Sequence, residues 1–200
     1  EGGYATNFPS NIDALEVLTE TIVRKKLKPG LDIFLGLDIA ASTFYKDQRY
    51  YLKNYPHPLS KEEYLEMLIE TDKQYPFLIL EDPISTEDNN SWIKLSSSVS
   101  NDVYIAGDDL LATNKTRLEN AIKDKSCSAI IIKPNQVGTI TETIDVVSTA
   151  KKNKIVCIVS HRSGDTTDTF IADFGVGVQS EFVKFGAPSR GERVVKYNRL

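Results

Sequence analysis

Apolar residues along the chain gather into short continuous runs, and each run is closed by a charged or polar residue. The run at 33–37 closes at Asp38, the run at 77–80 at Glu81, and the run at 103–107 at Asp108 and Asp109. The run at 129–132 closes at Lys133, the run at 155–159 at Ser160, His161, Arg162 and Ser163, and the pair 182–183 at Lys184. Unbroken apolar runs rich in β-branched residues predict parallel strands buried on both faces, because alternation is needed only where one face meets water.

The segments between these runs carry helical spacing. Ser10 and Asp13 predict a capped helix with Ile12, Leu15, Leu18 and Ile22 inward, stopped near Pro29 and Gly30. Ser60 and Glu63 form a second capping box, for a helix reaching about Gln74 with Tyr64, Leu65 and Leu68 inward. The stretch after Asn114 carries Leu118, Ala121 and Ile122, and Thr139 with Glu142 starts a helix with Ile140, Ile144 and Val147 inward. Asp165 and Asp168 predict a start for the helix holding Phe170, Ile171, Phe174 and Val178, and Ser189 with Glu192 a start for the last helix. Residues 43–52 set aromatic residues on either side of a polar 46–49 centre, which predicts a β-hairpin.

Strands alternating with helices mean an α/β fold with a parallel sheet. An open doubly wound sheet collects its ligands at one switch point, whereas here every strand has a polar end. That favours a (β/α)8 TIM barrel, whose functional groups sit at the C-terminal strand ends. About six βα units are too few to close eight strands. The expectation is one domain over residues 1–200, an incomplete barrel lacking its first strands. The opening at Glu1-Gly2-Gly3 and the helical pattern at the chain end also read as a cut segment. Such a segment alone is expected to aggregate or borrow surface from another chain.

Composition narrows the function. With 200 residues, 40% of them hydrophobic, 26% charged and a net charge of −4, the chain can bury a core without disulfides and offers no basic stripe for nucleic acid. No apolar run approaches the length of a membrane span. Cys127 and Cys157 read as buried reduced thiols, and the whole as a cytoplasmic enzyme.

The strand ends carry the candidate chemistry. Taken singly, Asp38, Glu81 and Asp108 could each cap the helix that follows. Three carboxylates at neighbouring strand ends would repel one another unless a hard divalent cation such as Mg²⁺ neutralised them. Lys133, closing a wholly apolar strand, could serve as a general base, as a Schiff-base nucleophile or as a partner for one of the acids. The carboxylates favour a base acting beside a metal. In the 160–166 loop, Arg162 offers a bidentate fork and Ser163 a hydroxyl, which suits phosphate or carboxylate. His161 lies beside them and Lys184 adds a second cation, while His57, between prolines, reads as solvated.

Several segments resemble the enolase family: Gly36-Leu-Asp-Ile-Ala-Ala-Ser42, Leu80-Glu-Asp-Pro83, Gly107-Asp-Asp-Leu110, Lys133-Pro-Asn-Gln-Val-Gly-Thr139, Ser160-His-Arg-Ser-Gly-Asp-Thr166 and Gly186-Ala-Pro-Ser-Arg-Gly-Glu-Arg193. The resemblance runs through the whole chain in one register. It implies the barrel domain of a glycolytic lyase, likewise cytoplasmic, that converts 2-phosphoglycerate to phosphoenolpyruvate, and a homodimer as the full-length parent. It implies that Asp38, Glu81 and Asp108 hold Mg²⁺, that Lys133 is the base, and that Glu1 assists loss of the 3-hydroxyl. It also implies substrate contacts from His161, Arg162, Ser163 and Lys184. A lysine or histidine base beside Mg²⁺ is the known pattern of enolase-superfamily sites. Asp165 stands where the family usually carries glutamate. The competing expectation is a non-catalytic fragment that acts as a surface binding protein.

Overall fold

The computed structural model describes every residue from Glu1 to Leu200 and divides into two compact units. The first unit comprises Thr6–Asp109 with Lys125–Cys127. It opens with α1 (Asn11–Arg24), where the Ser10 hydroxyl and the Asp13 carboxylate form the expected capping box. Leu15 and Ile22 are buried on this helix, but Leu18 is 51% exposed, contrary to expectation. Periodicity fixes which residues share a helix face; it does not fix how wide a strip of that face is covered.

Then follow β1 (Leu35–Asp38), a hairpin of β2 (Tyr45–Lys46) and β3 (Arg49–Tyr50), α2 (Lys61–Gln74), β4 (Phe77–Glu81), α3 (Asn89–Ser98) and β5 (Tyr104–Gly107). Strand β4 pairs in parallel with β1 and with β5. The first strand begins later than the apolar run suggested, leaving Ile33 and Phe34 exposed. The hairpin forms as expected, antiparallel, with Asp47 and Gln48 at φ of +50° and +59°. Two successive positive φ values are what a right-twisted two-residue hairpin turn requires. It delivers Tyr50 into the interior, where its ring stacks on Tyr64 at 3.8 Å and its hydroxyl donates to Asp88 and accepts from the Ser85 N–H. Trp92 is fully buried and donates to the Ser85 carbonyl.

The second unit comprises Glu1–Ala5, Leu110–Asp124 and Ser128–Leu200. Its elements are α4 (Lys115–Asp124), β6 (Ala129–Ile132), α5 (Pro134–Val137), α6 (Ile140–Lys152), β7 (Val156–Ser160), α7 (Phe170–Gly177), β8 (Phe182–Lys184) and α8 (Gly191–Arg199). Strand β7 pairs in parallel with β6 and with β8, and every residue of β6 is buried. The six parallel strands, three in each unit, bear out the α/β class.

Three helical expectations need correction. On α6 the inward face is Thr143, Val146, Val147 and Ala150, while Ile140 and Ile144 are exposed, so the buried stripe is turned from the expected one. Thr143 tolerates burial there because its hydroxyl donates to the Thr139 carbonyl one turn back. Helix α7 starts at Phe170, whose N–H donates to the Asp168 carboxylate at 2.7 Å as the sequence suggested; the cap residue Thr169 makes no side-chain bond, and Phe170 itself is exposed. Asp165 instead closes the preceding loop. Helix α8 is capped by Arg190 without a side-chain bond, and the Ser189 hydroxyl turns to the Gly2 carbonyl. At α8 a tertiary partner outcompeted the local cap, whereas Asp165 turns to the N–H groups of its own loop and to Lys196.

Candidate active site

In the first unit the parallel register brings the carboxylates to neighbouring strand ends. Asp38 lies directly opposite Glu81, and Glu81 opposite Ala106, two residues before Asp108. Glu81 and Asp108 are buried and Asp38 is exposed. None of the three caps a helix: after Asp38 come a short 3-10 turn (Ala41–Phe44) capped by Ala40 and then α2 capped by Ser60, and the caps after Glu81 and Asp108 are Asp88 and Asn114. The helix-cap reading of these acids is therefore set aside.

Asp82, which sequence reasoning passed over, ties these ends together. Its carboxylate accepts the N–H groups of Asp108 at 2.9 Å and Asp109 at 2.8 Å. Its own backbone donates to Ala106 and accepts from Ala41, which the unusual φ of +40° allows. Burial pushes the Asp82 carboxyl up to about 6, against the pull of the two amide donors, and the nearby acids Asp108 and Asp109 push the same way as burial. The signal was present in the sequence as the Glu-Asp-Pro and Gly-Asp-Asp segments, but only the fold shows one aspartate binding the other loop.

As donors, the three carboxylates suit a hard cation, which takes oxygen ligands. Two buried carboxylates one strand apart are also costly without a positive charge. No set of three or more His, Cys, Asp or Glu side chains is drawn together here into a ready metal cage. By donor chemistry the three carboxylates would suit a hard divalent cation, although they are not gathered into a ready cage.

The second unit carries the remaining candidates. Lys133 follows β6 and is half-buried. Its N–H donates to the Thr113 hydroxyl at 2.9 Å, and that hydroxyl donates to Gln136 at 2.6 Å. Thr113 is wholly buried, so the backbone that aims Lys133 is clamped. His161 is buried, and its backbone N–H donates to the Lys184 carbonyl, which locks the end of β7 to the end of β8.

The Glu1 carboxylate meets this group. It accepts the Ser163 hydroxyl at 3.2 Å and lies 3.3 Å from the His161 Nε2. Burial acts to raise the Glu1 carboxyl, but His161, Ser163 and Lys184 outweigh it and hold the carboxyl below its ordinary value. Burial pushes the His161 imidazole below its ordinary value, opposed by the Phe185 backbone and by Glu1. Arg162 and Ser163 are exposed. Glu1, His161, Ser163 and Lys184 are thus drawn together in one place, with Arg162 next in the chain to two of them.

Sequence reasoning also missed Arg193 and Lys196. Both are buried on α8 and both hydrogen-bond the loop that follows His161. Their sequence signal was two cations three residues apart on the inward face of a helix. His57 is exposed, as expected, and Cys127 and Cys157 are buried free thiols.

Parallel strands whose C-terminal ends carry acids in one unit and cations in the other define the class of α/β barrel domains with strand-end chemistry. The chain matches the family described as enolase, C-terminal TIM barrel domain, over residues 1–200, and it belongs to that family. It is 42% identical over 200 residues to the enolase of a Nitratiruptor species, covering 100% of this chain and 48% of that protein. It is likewise 42% identical to the enolases of Ehrlichia canis and Beutenbergia cavernae, covering 47% and 46% of them. The chain spans about half the length of the curated relatives it matches.

Proposed function

We propose that this chain is the barrel segment of an enolase, and that the longer protein carrying it dehydrates 2-phosphoglycerate reversibly to phosphoenolpyruvate with Mg²⁺. The observation that carries this reading is the cluster of Glu1, His161 and Ser163, in a unit where Lys133 and Lys184 close strands β6 and β8. It supplies a base, an acid and an anion-binding loop, which a dehydration of a phosphorylated acid requires.

Asp38, Glu81 and Asp108 hold the magnesium in this proposal. When bound, the ion stabilises the negative charge that develops on the substrate carboxylate, without rearranging as it does so. Lys133 takes the proton from the carbon beside that carboxylate. The electron pair left there forms the new double bond as the bond to the 3-hydroxyl breaks. Glu1 delivers a proton to the departing hydroxyl, so that water leaves.

Glu1 is held ionised by its cationic neighbours in the free protein, as the lowered carboxyl indicates. A bound phosphorylated substrate brings negative charge to Glu1 and raises its carboxyl, which suits it to the acid role. His161, Arg162, Ser163 and Lys184 bind and orient the substrate anion. We further propose a homodimer working in the cytoplasm; no helix here is long and apolar enough to cross a membrane.

The test is turnover of 2-phosphoglycerate by the full-length protein, followed by absorbance of the enol product. Magnesium-dependent turnover supports the reading. A folded full-length protein without turnover would favour the non-catalytic, surface-binding alternative.

A further inference from the structure

The loop from Arg162 to Thr166 follows β7, and its anchors come from α8. The Arg193 guanidinium donates from one terminal nitrogen to the Arg162 carbonyl at 2.9 Å and from the other to the Ser163 carbonyl at 2.7 Å. The Lys196 ammonium donates to the Thr166 carbonyl at 2.6 Å and to the Glu192 carbonyl at 2.8 Å, and pairs with Asp165 at 3.0 Å. Asp165 in turn accepts the N–H groups of Arg162 at 3.0 Å and Thr166 at 2.8 Å.

Arg193 is 2% exposed and Lys196 is 0% exposed. Burying two cations is costly unless each is hydrogen-bonded, and here the loop's carbonyls take both terminal nitrogens of Arg193 and the Lys196 ammonium, while the buried Arg193 Nε has only the Glu192 carboxylate near it, at 3.9 Å. The arrangement also has a consequence for anions. A loop that grips phosphate must present donors and keep its carbonyl oxygens, which repel the anion, turned away. Three anchor points on buried cations do this at residues 162, 163 and 166. Room for the guanidinium is provided by Gly186, where a Cβ would sit 2.8 Å from the Arg193 Cδ and where φ is +85°.

We propose that Arg193 and Lys196 are positioning residues for the phosphate of the substrate: they touch no substrate atom, and set the backbone from which Arg162 and Ser163 do. This rests on the reading that those two residues grip the phosphate. Arg193 fixes the two carbonyls by its planar fork, which a lysine cannot reproduce. Lys196 and Asp165 close the far end of the same loop.

The test is made in the full-length protein. Arg193→Lys keeps the charge and loses the fork. The expected result is a KM for 2-phosphoglycerate raised about tenfold, the scale of one charge-assisted hydrogen bond, with kcat changed much less. The dissociation constant for inorganic phosphate, read by titration calorimetry, rises in parallel, and that for Mg²⁺ stays unchanged. A residue that only held the fold would lower the unfolding midpoint and leave KM of the folded fraction where it was, and that result overturns the proposal. Should Arg193→Lys not fold, Asp165→Asn keeps both cations and still loosens the loop. A roughly threefold weaker phosphate affinity is then expected, and an unchanged one overturns the proposal. If the parent binds phosphate without turning over 2-phosphoglycerate, and the variants still weaken that binding, positioning stands and the enolase reading fails. A parent that binds no phosphate overturns the positioning whatever its turnover.

Discussion

The two units repeat one plan, parallel strands each leading through a loop to a helix, and end their strands in opposite charge. The first closes on Asp38, Glu81, Asp108 and Asp109; the second closes on Lys133, His161, Arg162 and Lys184. Each unit also holds its end loops with charge of its own sign turned to backbone groups of the complementary kind. In the first, the Asp82 carboxylate accepts amide N–H groups of the 108–109 loop. In the second, Arg193 and Lys196 donate to carbonyls of the 162–166 loop. The strand–helix repeat thus leaves the chemistry open, and the identity of the end residue and of the buried ion beneath it sets the charge that each unit presents.

Removing the base should produce the largest effect. Lys133→Ala in the full-length protein is expected to lower kcat for 2-phosphoglycerate by about a thousandfold or more, with magnesium affinity unchanged, because a general base acts in the transition state. Near-normal turnover would take Lys133 out of the mechanism. The acidic unit should answer differently. Glu81→Gln is expected to weaken Mg²⁺ binding at least about tenfold by calorimetry. Unchanged binding would mean that the carboxylates are not the metal ligands, and the contrast between the units would lose its acidic half.

Stability gives a sharper view of how the first unit is held. Trp92→Ala removes a fully buried ring together with its bond to Ser85 and is expected to cost about 3–5 kcal/mol in denaturant unfolding. A much smaller cost would show that the site collapses around the loss.

A weaker, pH-dependent effect belongs to the second unit. Burial acts to raise the Asp165 carboxyl, but the Arg162 N–H, Lys196 and the Thr166 N–H together hold it below its ordinary 3.8. A depressed carboxyl adds stability that is present above 3.8 and is lost as pH falls through its folded value. The stability gap between the parent and Asp165→Asn should therefore close on acidification below that point. A gap that persists in acid would mean that the bonds to Asp165 do not depend on its charge. The smallest change expected is none at all. Burial pushes the Cys127 and Cys157 thiols up to about 12, so a chromogenic disulfide reagent should label neither in the native protein. Fast labelling of either would place that segment in solvent.

Much of the site was legible because strand ends are marked locally. A run such as 129–132 is all apolar and stops at a lysine, and the parallel fold turns that stop into a position at the C-terminal end of β6. The capping boxes at Ser10 and Ser60 were legible for the same reason, since donor and acceptor lie three residues apart. The α6 face was misread because Thr143 is polar by composition and buried in fact, its hydroxyl satisfied within the helix. The start of α7 was misread in part, because Asp165 turns its oxygens to its own loop and to Lys196 while only Asp168 serves the helix, and that of α8 because the Ser189 hydroxyl turns to Gly2 far along the chain.

The sequence by itself determined the α/β alternation, the hairpin at 43–52 and the residues that end each strand, since all three follow from spacing within a few positions. Only the tertiary structure decided that Asp82 would bind the 108–109 loop, that Glu1 would meet Ser163 across 162 residues, and that Arg193 and Lys196 would be buried beneath the loop they hold. The reason is one of range. Periodicity and capping act over one or two turns, whereas a buried charge is placed by whichever hydrogen-bond partners folding brings to it, and those lie at separations no local pattern records.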